Sequence, residues 1–122
     1  MARILVVDDC ADMREFLARV LTLGNHQVET AGDGAEALAR LDQALPDLLI
    51  TDVEMPHLNG AELVRCLRRN GHRHLPIIAI SGHSRYRQEL APHVQAYLVK
   101  PFGFRQLLAE VASALARRTA RP

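Results

Sequence analysis

With 122 residues, 48% of them apolar and 24% charged, the chain has the balance of one soluble domain with its own hydrophobic core, which excludes disorder and leaves no room for a second domain. A formal net charge of +1 with interleaved acids and bases leaves no basic footprint beyond Arg117, Arg118 and Arg121, and 4% aromatics without Trp offer little for stacking on bases, so no nucleic-acid partner is expected. Cys10 and Cys66 lack the spacing of a zinc or disulfide framework, no apolar run is long enough to cross a bilayer, and no signal-peptide core precedes Asp8, so a cytoplasmic protein without a membrane partner is expected.

Ile4 to Val7 is an unbroken apolar run that reads as a strand buried on both faces, and it ends in Asp8 and Asp9. Asp12 is placed to cap a following helix with Glu15 closing a capping box, and Met13, Phe16, Leu17, Val20 and Leu21 repeat at helical spacing until Gly24 and Asn25. His26 to Ala31 alternates as a short edge-type strand, broken by Asp33 and Gly34. Ala35, Leu38, Ala39 and Leu41 give a weaker second helix before Pro46.

Leu48 to Ile50 repeats the first pattern, an apolar run that leads through Thr51 to Asp52. After the loop marked by Pro56, Asn59 and Glu62 carry capping-box spacing for a third helix with Leu63, Val64 and Leu67 on one face, ended by Gly71. Ile77 to Ile80 is a further buried strand, closed by Ser81 and Gly82. Ser84 is expected to cap a short helix to about Leu90, which Pro92 cannot continue. Ala96 to Val99 is a fifth strand that delivers Lys100 and Pro101, and Leu107, Leu108, Val111 and Leu115 mark a last amphipathic helix with Arg117 and Arg118 in its final turn.

Five strands alternating with helices imply a doubly wound parallel sheet with helices on both faces, because each parallel crossover is right-handed and needs a helix. In such a sheet every strand's carboxyl end lies on one edge, where ligands bind, so Asp8, Asp9, Asp52, Ser81 and Lys100 converge there. Like charges 4 Å apart repel by about 4 kcal/mol at an effective dielectric of about 20. A hard cation with oxygen ligands would offset that, and Mg²⁺, which keeps several waters and often shares a phosphate, suits an open acidic cluster. Lys100 and Ser81 are fit for phosphoryl oxygens, so the set points to phosphoryl transfer onto Asp52 as nucleophile.

The segments LVVDD, AGDGAEAL, LITDVEMPHLNG, IIAISG and AYLVKPF stand in the order of the blocks of response regulator receiver domains, the CheY-like group of two-component signalling, and the sequence resembles that family over essentially its whole length. The resemblance implies a flavodoxin-like sheet in the order 2-1-3-4-5 and a single receiver domain over residues 1–122, with a flexible tail from about residue 118 and no output domain in this chain. It implies Asp52 as phosphoacceptor, and Asp8, Asp9, Asp52 and the backbone carbonyl of Glu54 as ligands of Mg²⁺ or Mn²⁺. Ser81 would be the switch hydroxyl, Lys100 the phosphate-binding lysine, and Tyr97 the aromatic that follows Ser81. Glu54 and His83 would modulate loss of the phosphate, and the Lys100–Pro101 peptide would be cis. The implied partners are a sensor histidine kinase or histidine phosphotransfer protein and an unidentified downstream effector. Because the helix expected after Ser84 is cut short by Pro92, the family's usual pairing should be weakened, leaving a monomer or weak dimer. As a phosphoacceptor it would catalyse its own phosphorylation and dephosphorylation.

Each residue also has a plainer reading. Asp8 could only cap a helix, Asp52 begin a turn, and Ser81 sit in a loop; His72 and His74 precede a strand's amino end, away from the acids, as a solvated loop would. Two rival functions are a phosphorylation-independent module of the same fold and a small Rossmann-like nucleotide-binding domain, the latter on the GxGxxA spacing of Gly32, Gly34 and Ala37. That spacing leaves Asp8, Asp9, Ser81 and Lys100 unexplained. The stretch from Ser81 to Lys100 is shorter than the family's usual spacing, so the fourth helix should be short.

Overall fold

The computed structural model describes residues 2–119. Three of the apolar runs become β1 (Arg3–Val7), β3 (Leu48–Asp52) and β4 (Ile77–Ser81), the middle of a parallel sheet in the order β2-β1-β3-β4-β5. The edges are β2 (Gln27–Ala31) and β5 (Ala96–Val99), whose residues are less buried than those of β3 and β4. Unbroken hydrophobicity with full burial marks the central β3 and β4, and alternation marks the edge strand β2, whereas β5 is an apolar run that lies at an edge and is only partly covered.

Alternate side chains of the central strands face opposite layers. Leu5, Val7, Leu49, Ile77 and Ala79 pack with Ala37 and Leu41 of α2 (Gly34–Gln43), Leu63, Val64 and Leu67 of α3 (Gly60–Arg69) and Leu90 of α4 (Arg87–Leu90). Ile4, Val6, Leu48, Ile50, Ile78 and Ile80 pack with Leu17 and Leu21 of α1 (Ala11–Leu23) and Leu107 and Val111 of α5 (Phe104–Thr119). Truncating a wholly buried member such as Leu49 to Ala would cost about 2–5 kcal/mol.

Most helix boundaries follow the local signals. Asn59 and Glu62 form the expected capping box on α3, and Asp33 caps α2 by accepting from the Glu36 amide. Two starts differ. α1 begins one residue before Asp12, with Cys10 at the cap and no side-chain cap bond. The turn is organised instead by Asp8, whose Oδ1 accepts from the Cys10 amide at 2.9 Å. That leaves Asp12 in the first turn, where its charge suits the helix dipole, and Glu15 paired with Arg19 at 3.0 Å. α4 does not start at Ser84, which supplies only its backbone carbonyl to the Arg87 amide; Tyr86 precedes the helix without a capping bond. The helix is a single turn, extended by a 3₁₀ turn at Ala91–His93 that accepts Pro92 near its start. α5 reaches Thr119, into the stretch expected as tail, and residues 120–122 lie outside the described part.

Candidate functional site

The ladders continue past the strand ends and thereby set the site. The Asp8 amide donates to Ala31 O at 3.2 Å, the Val53 amide to Ile80 O at 2.8 Å, and the Lys100 amide to Ser81 O at 2.8 Å. Asp8, Asp52, Ser81 and Lys100 consequently leave the sheet along one edge. Gly60 is required there, because a Cβ on it would stand 2.1 Å from the Asp52 carbonyl oxygen. The α3 terminus can approach β3 closely only at a residue without a side chain, and the Gly60 amide uses that approach to bond Val53 O at 2.8 Å.

Asp8, Asp9 and Asp52 each present a carboxylate oxygen within 4.8 Å of the others. Asp8 and Asp52 are buried, with 1% and 5% of their surfaces exposed, whereas Asp9 is exposed. The Lys100 ammonium lies 3.4 Å from Asp52 Oδ1 and 3.7 Å from Asp8 Oδ2. Those are ion-pair distances, longer than a good charged hydrogen bond, and both carboxylate oxygens are buried without a hydrogen-bond donor among the described residues.

Burial raises the Asp52 carboxyl from its ordinary 3.8 to about 6; the Asp8 charge pushes in the same direction, and Lys100 offsets part of the effect. Asp8 is raised too, chiefly by burial, against the pull of the Cys10 amide and Lys100. One lysine thus does not neutralise the cluster. Two buried, unsatisfied carboxylate oxygens facing a third acid are the donor set a hard dication would satisfy, so the residues fit Mg²⁺.

The other expected residues lie on the same edge in a hydrogen-bonded chain. Ser81 Oγ, fully buried, donates to Glu54 Oε2 at 2.6 Å and accepts from the His83 amide at 3.0 Å. The Gly82 amide donates to Glu54 Oε1 at 3.0 Å, and Tyr97 Oη donates to the His83 carbonyl at 2.7 Å. His83 thus enters through its backbone, with an exposed side chain. The Lys100–Pro101 peptide is cis.

Two contacts were not legible in the sequence, one from Arg14, which was not expected at the site, and one from the side chain of Glu54, which was expected there through its backbone carbonyl and as a modulator of phosphate loss. Arg14 Nη1 donates to the Asp8 carbonyl at 2.7 Å from the first turns of α1, and the Glu54 carboxylate engages Ser81 and Gly82. For Arg14 the signal was faint, one basic residue on the side of α1 that faces back to the loop after β1. His57 has a left-handed backbone (φ 68) and is exposed. His72 and His74 lie at the opposite end of the sheet, before β4. Gly34 of the GxGxxA spacing serves packing, since a Cβ on it would stand 2.7 Å from the Leu58 carbonyl.

Comparison with known proteins places this geometry in a family. The profile of the response regulator receiver domain matches residues 4–112. The chain belongs to this family, the receiver domains of two-component systems. The response regulator MprA of Mycobacterium leprae is 42% identical over 120 residues, covering 96% of this chain and 52% of that protein. The chain spans about half the length of the curated relatives it matches. Among solved structures, TrrA of Thermotoga maritima in complex with Mg²⁺-BeF superposes with a TM-score of 0.87 at 36% identity, covering 93% of this chain and 99% of that one. CheY4 of Vibrio cholerae, a chemotaxis response regulator, gives 0.85 at 35% identity, covering 93% and 98%. Among the described residues no helix is long and apolar enough to cross a membrane.

Proposed function

We propose that this domain accepts a phosphoryl group on Asp52 from a phosphohistidine on a sensor histidine kinase or histidine phosphotransfer protein, and that the added charge is read through Ser81, Lys100 and Tyr97 on the face of α4, β5 and α5. The observation that carries the reading is Asp52 itself: a buried carboxylate with an unbonded oxygen, 3.4 Å from the Lys100 ammonium and grouped with Asp8 and Asp9.

A carboxyl raised only to about 6 is mostly ionised at neutral pH, so one Asp52 oxygen can attack phosphorus as the bond to the donor nitrogen breaks and the donor leaves with its electron pair. Asp8, Asp9, Asp52 and the backbone carbonyl of Glu54 would hold Mg²⁺ or Mn²⁺. When bound, that ion supplies positive charge to the phosphoryl oxygens and to the crowded carboxylates. Lys100, partly exposed, reaches the same oxygens, and the Ser81 hydroxyl is the donor on the neighbouring strand end.

The downstream effector is a protein that reads the α4, β5 and α5 face. MprA is about twice as long as this chain, and NtrX of Brucella abortus, 29% identical, is matched over only 28% of its length. The single-turn α4 presents little surface for self-association, consistent with a monomer or weak dimer.

Intact-mass spectrometry tests the reading. Wild type incubated with acetyl phosphate or a phosphohistidine donor should gain one phosphoryl group only when a divalent cation is present. Asp52→Asn should gain none; equal uptake by both proteins, or uptake indifferent to EDTA, would refute the assignment.

A further inference from the structure

The Ser81 hydroxyl has one proton and the Gly82 amide has one, and both are given to the same carboxylate. Ser81 Oγ accepts from the His83 amide on a lone pair and gives its one proton to Glu54 in this conformation. An anion with its two oxygens on two adjacent donors at the end of β4 occupies the hydroxyl that the proposed function assigns to the phosphoryl oxygens. Glu54 follows Asp52 by two residues, and its charge is among those that oppose ionisation of Asp52.

Resting on the reading of Asp52 as phosphoacceptor, we propose that the Glu54 carboxylate is a built-in competitor for the phosphoryl group, a latch that holds Ser81 and Gly82 in the unphosphorylated arrangement and must be displaced before the switch can close. Hydrogen bonds to a charged acceptor are among the strong ones, so the latch stabilises the resting state. A dianionic phosphoryl on Asp52 reverses the preference, because it repels Glu54 and offers the same donors a greater charge.

The latch is wired to the output face. Ser81 Oγ holds the His83 amide, the His83 carbonyl holds Tyr97 Oη, and the Arg87 guanidinium of α4 lies 5.4 Å from the Tyr97 ring. Moving Ser81 off Glu54 therefore pulls on the loop that anchors Tyr97. Glu54 acts here as a positioning residue, through Ser81. Its strength sets how much phosphoryl affinity is spent on switching.

The test is a titration with beryllofluoride, a phosphoryl analogue, in saturating Mg²⁺, followed by the backbone amide signals of Gly82 and His83 and the ring signals of Tyr97 in NMR spectra. Glu54→Ala should lower the half-saturating concentration about tenfold, equivalent to about 1.4 kcal/mol, with Glu54→Gln between it and wild type. In a Ser81→Ala background the same substitution should gain less than about threefold, because coupled residues are not additive. An equal gain in both backgrounds would mean that Glu54 acts only by through-space charge, and would overturn the latch. So would unchanged or weaker binding in Glu54→Ala while acetyl phosphate still labels Asp52, which leaves the phosphoacceptor reading standing. Failure of wild type to bind beryllofluoride or take up phosphate would instead remove that reading, and the latch with it.

Discussion

Replacing Asp52 by Asn removes a buried negative charge that the metal-free fold accommodates poorly, and the expected result is a more stable protein. The fold raises this carboxyl from 3.8 to about 6, mainly by burial and then by the Asp8 charge. The native state consequently binds the proton more tightly than the unfolded chain does. Stability then falls as pH rises through the window from 3.8 to about 6, and the full cost is present above it. A shift of that size corresponds to about 3 kcal/mol at pH 8. Asn keeps the shape without the charge but cannot reproduce every contact of a protonated Asp, so about 2–3 kcal/mol should be recovered. For a domain of this length that is a rise in Tm of about 8–12 °C.

The assay is thermal unfolding of wild type and Asp52→Asn in EDTA at pH 8 and pH 4. At pH 4 the gain should shrink to under about 1 kcal/mol, since the wild-type carboxyl is then protonated in the fold. Mg²⁺ at about one hundred times its Kd should add about 2.7 kcal/mol to wild type and close the gap at pH 8. An Asn variant no more stable than wild type at pH 8, or a gain equal at both pH values, would refute the account of Asp52 as a buried and uncompensated charge.

Lys100→Ala should leave Mg²⁺ affinity at pH 8 nearly intact while lowering the rate of phosphorylation by acetyl phosphate at least tenfold, as measured by calorimetry and intact mass; loss of metal binding would contradict the division of roles. Gly60→Ala should destabilise the domain by about 3 kcal/mol or more in urea unfolding, because its Cβ would meet the Asp52 carbonyl at 2.1 Å in the β3–α3 approach. Hydrogen exchange should be faster across residues 84–94 than in β3, and slow on phosphorylation, because only Leu90 is fully buried there and a one-turn helix owes its stability to packing. Equal protection of the two segments before phosphorylation would exclude ordering on phosphorylation.

The central strands were legible because double burial demands unbroken hydrophobicity, and Ile4–Val7, Leu48–Ile50 and Ile77–Ile80 each carry it. Helix signals between them made the strands parallel, and parallel strands bring their carboxyl ends to one edge. Asp8, Asp52, Ser81 and Lys100 are therefore grouped by the sequence alone. Local capping chemistry was legible where donor and acceptor are three residues apart, as at Asn59 and Glu62. It misled at Asp12, where Asp8 captured the Cys10 amide and moved the helix start, and at Ser84, where no side-chain cap forms. Only the tertiary structure decided which of several available partners each polar group takes. Glu54 and Ser81 are 27 residues apart in the chain, and nothing local distinguishes a Glu that faces solvent from one that claims the hydroxyl on the next strand. That choice depends on the β3–β4 register that pairs Asp52 with Ile80 and sets the two strand ends side by side, a long-range arrangement that hydrophobic periodicity does not encode.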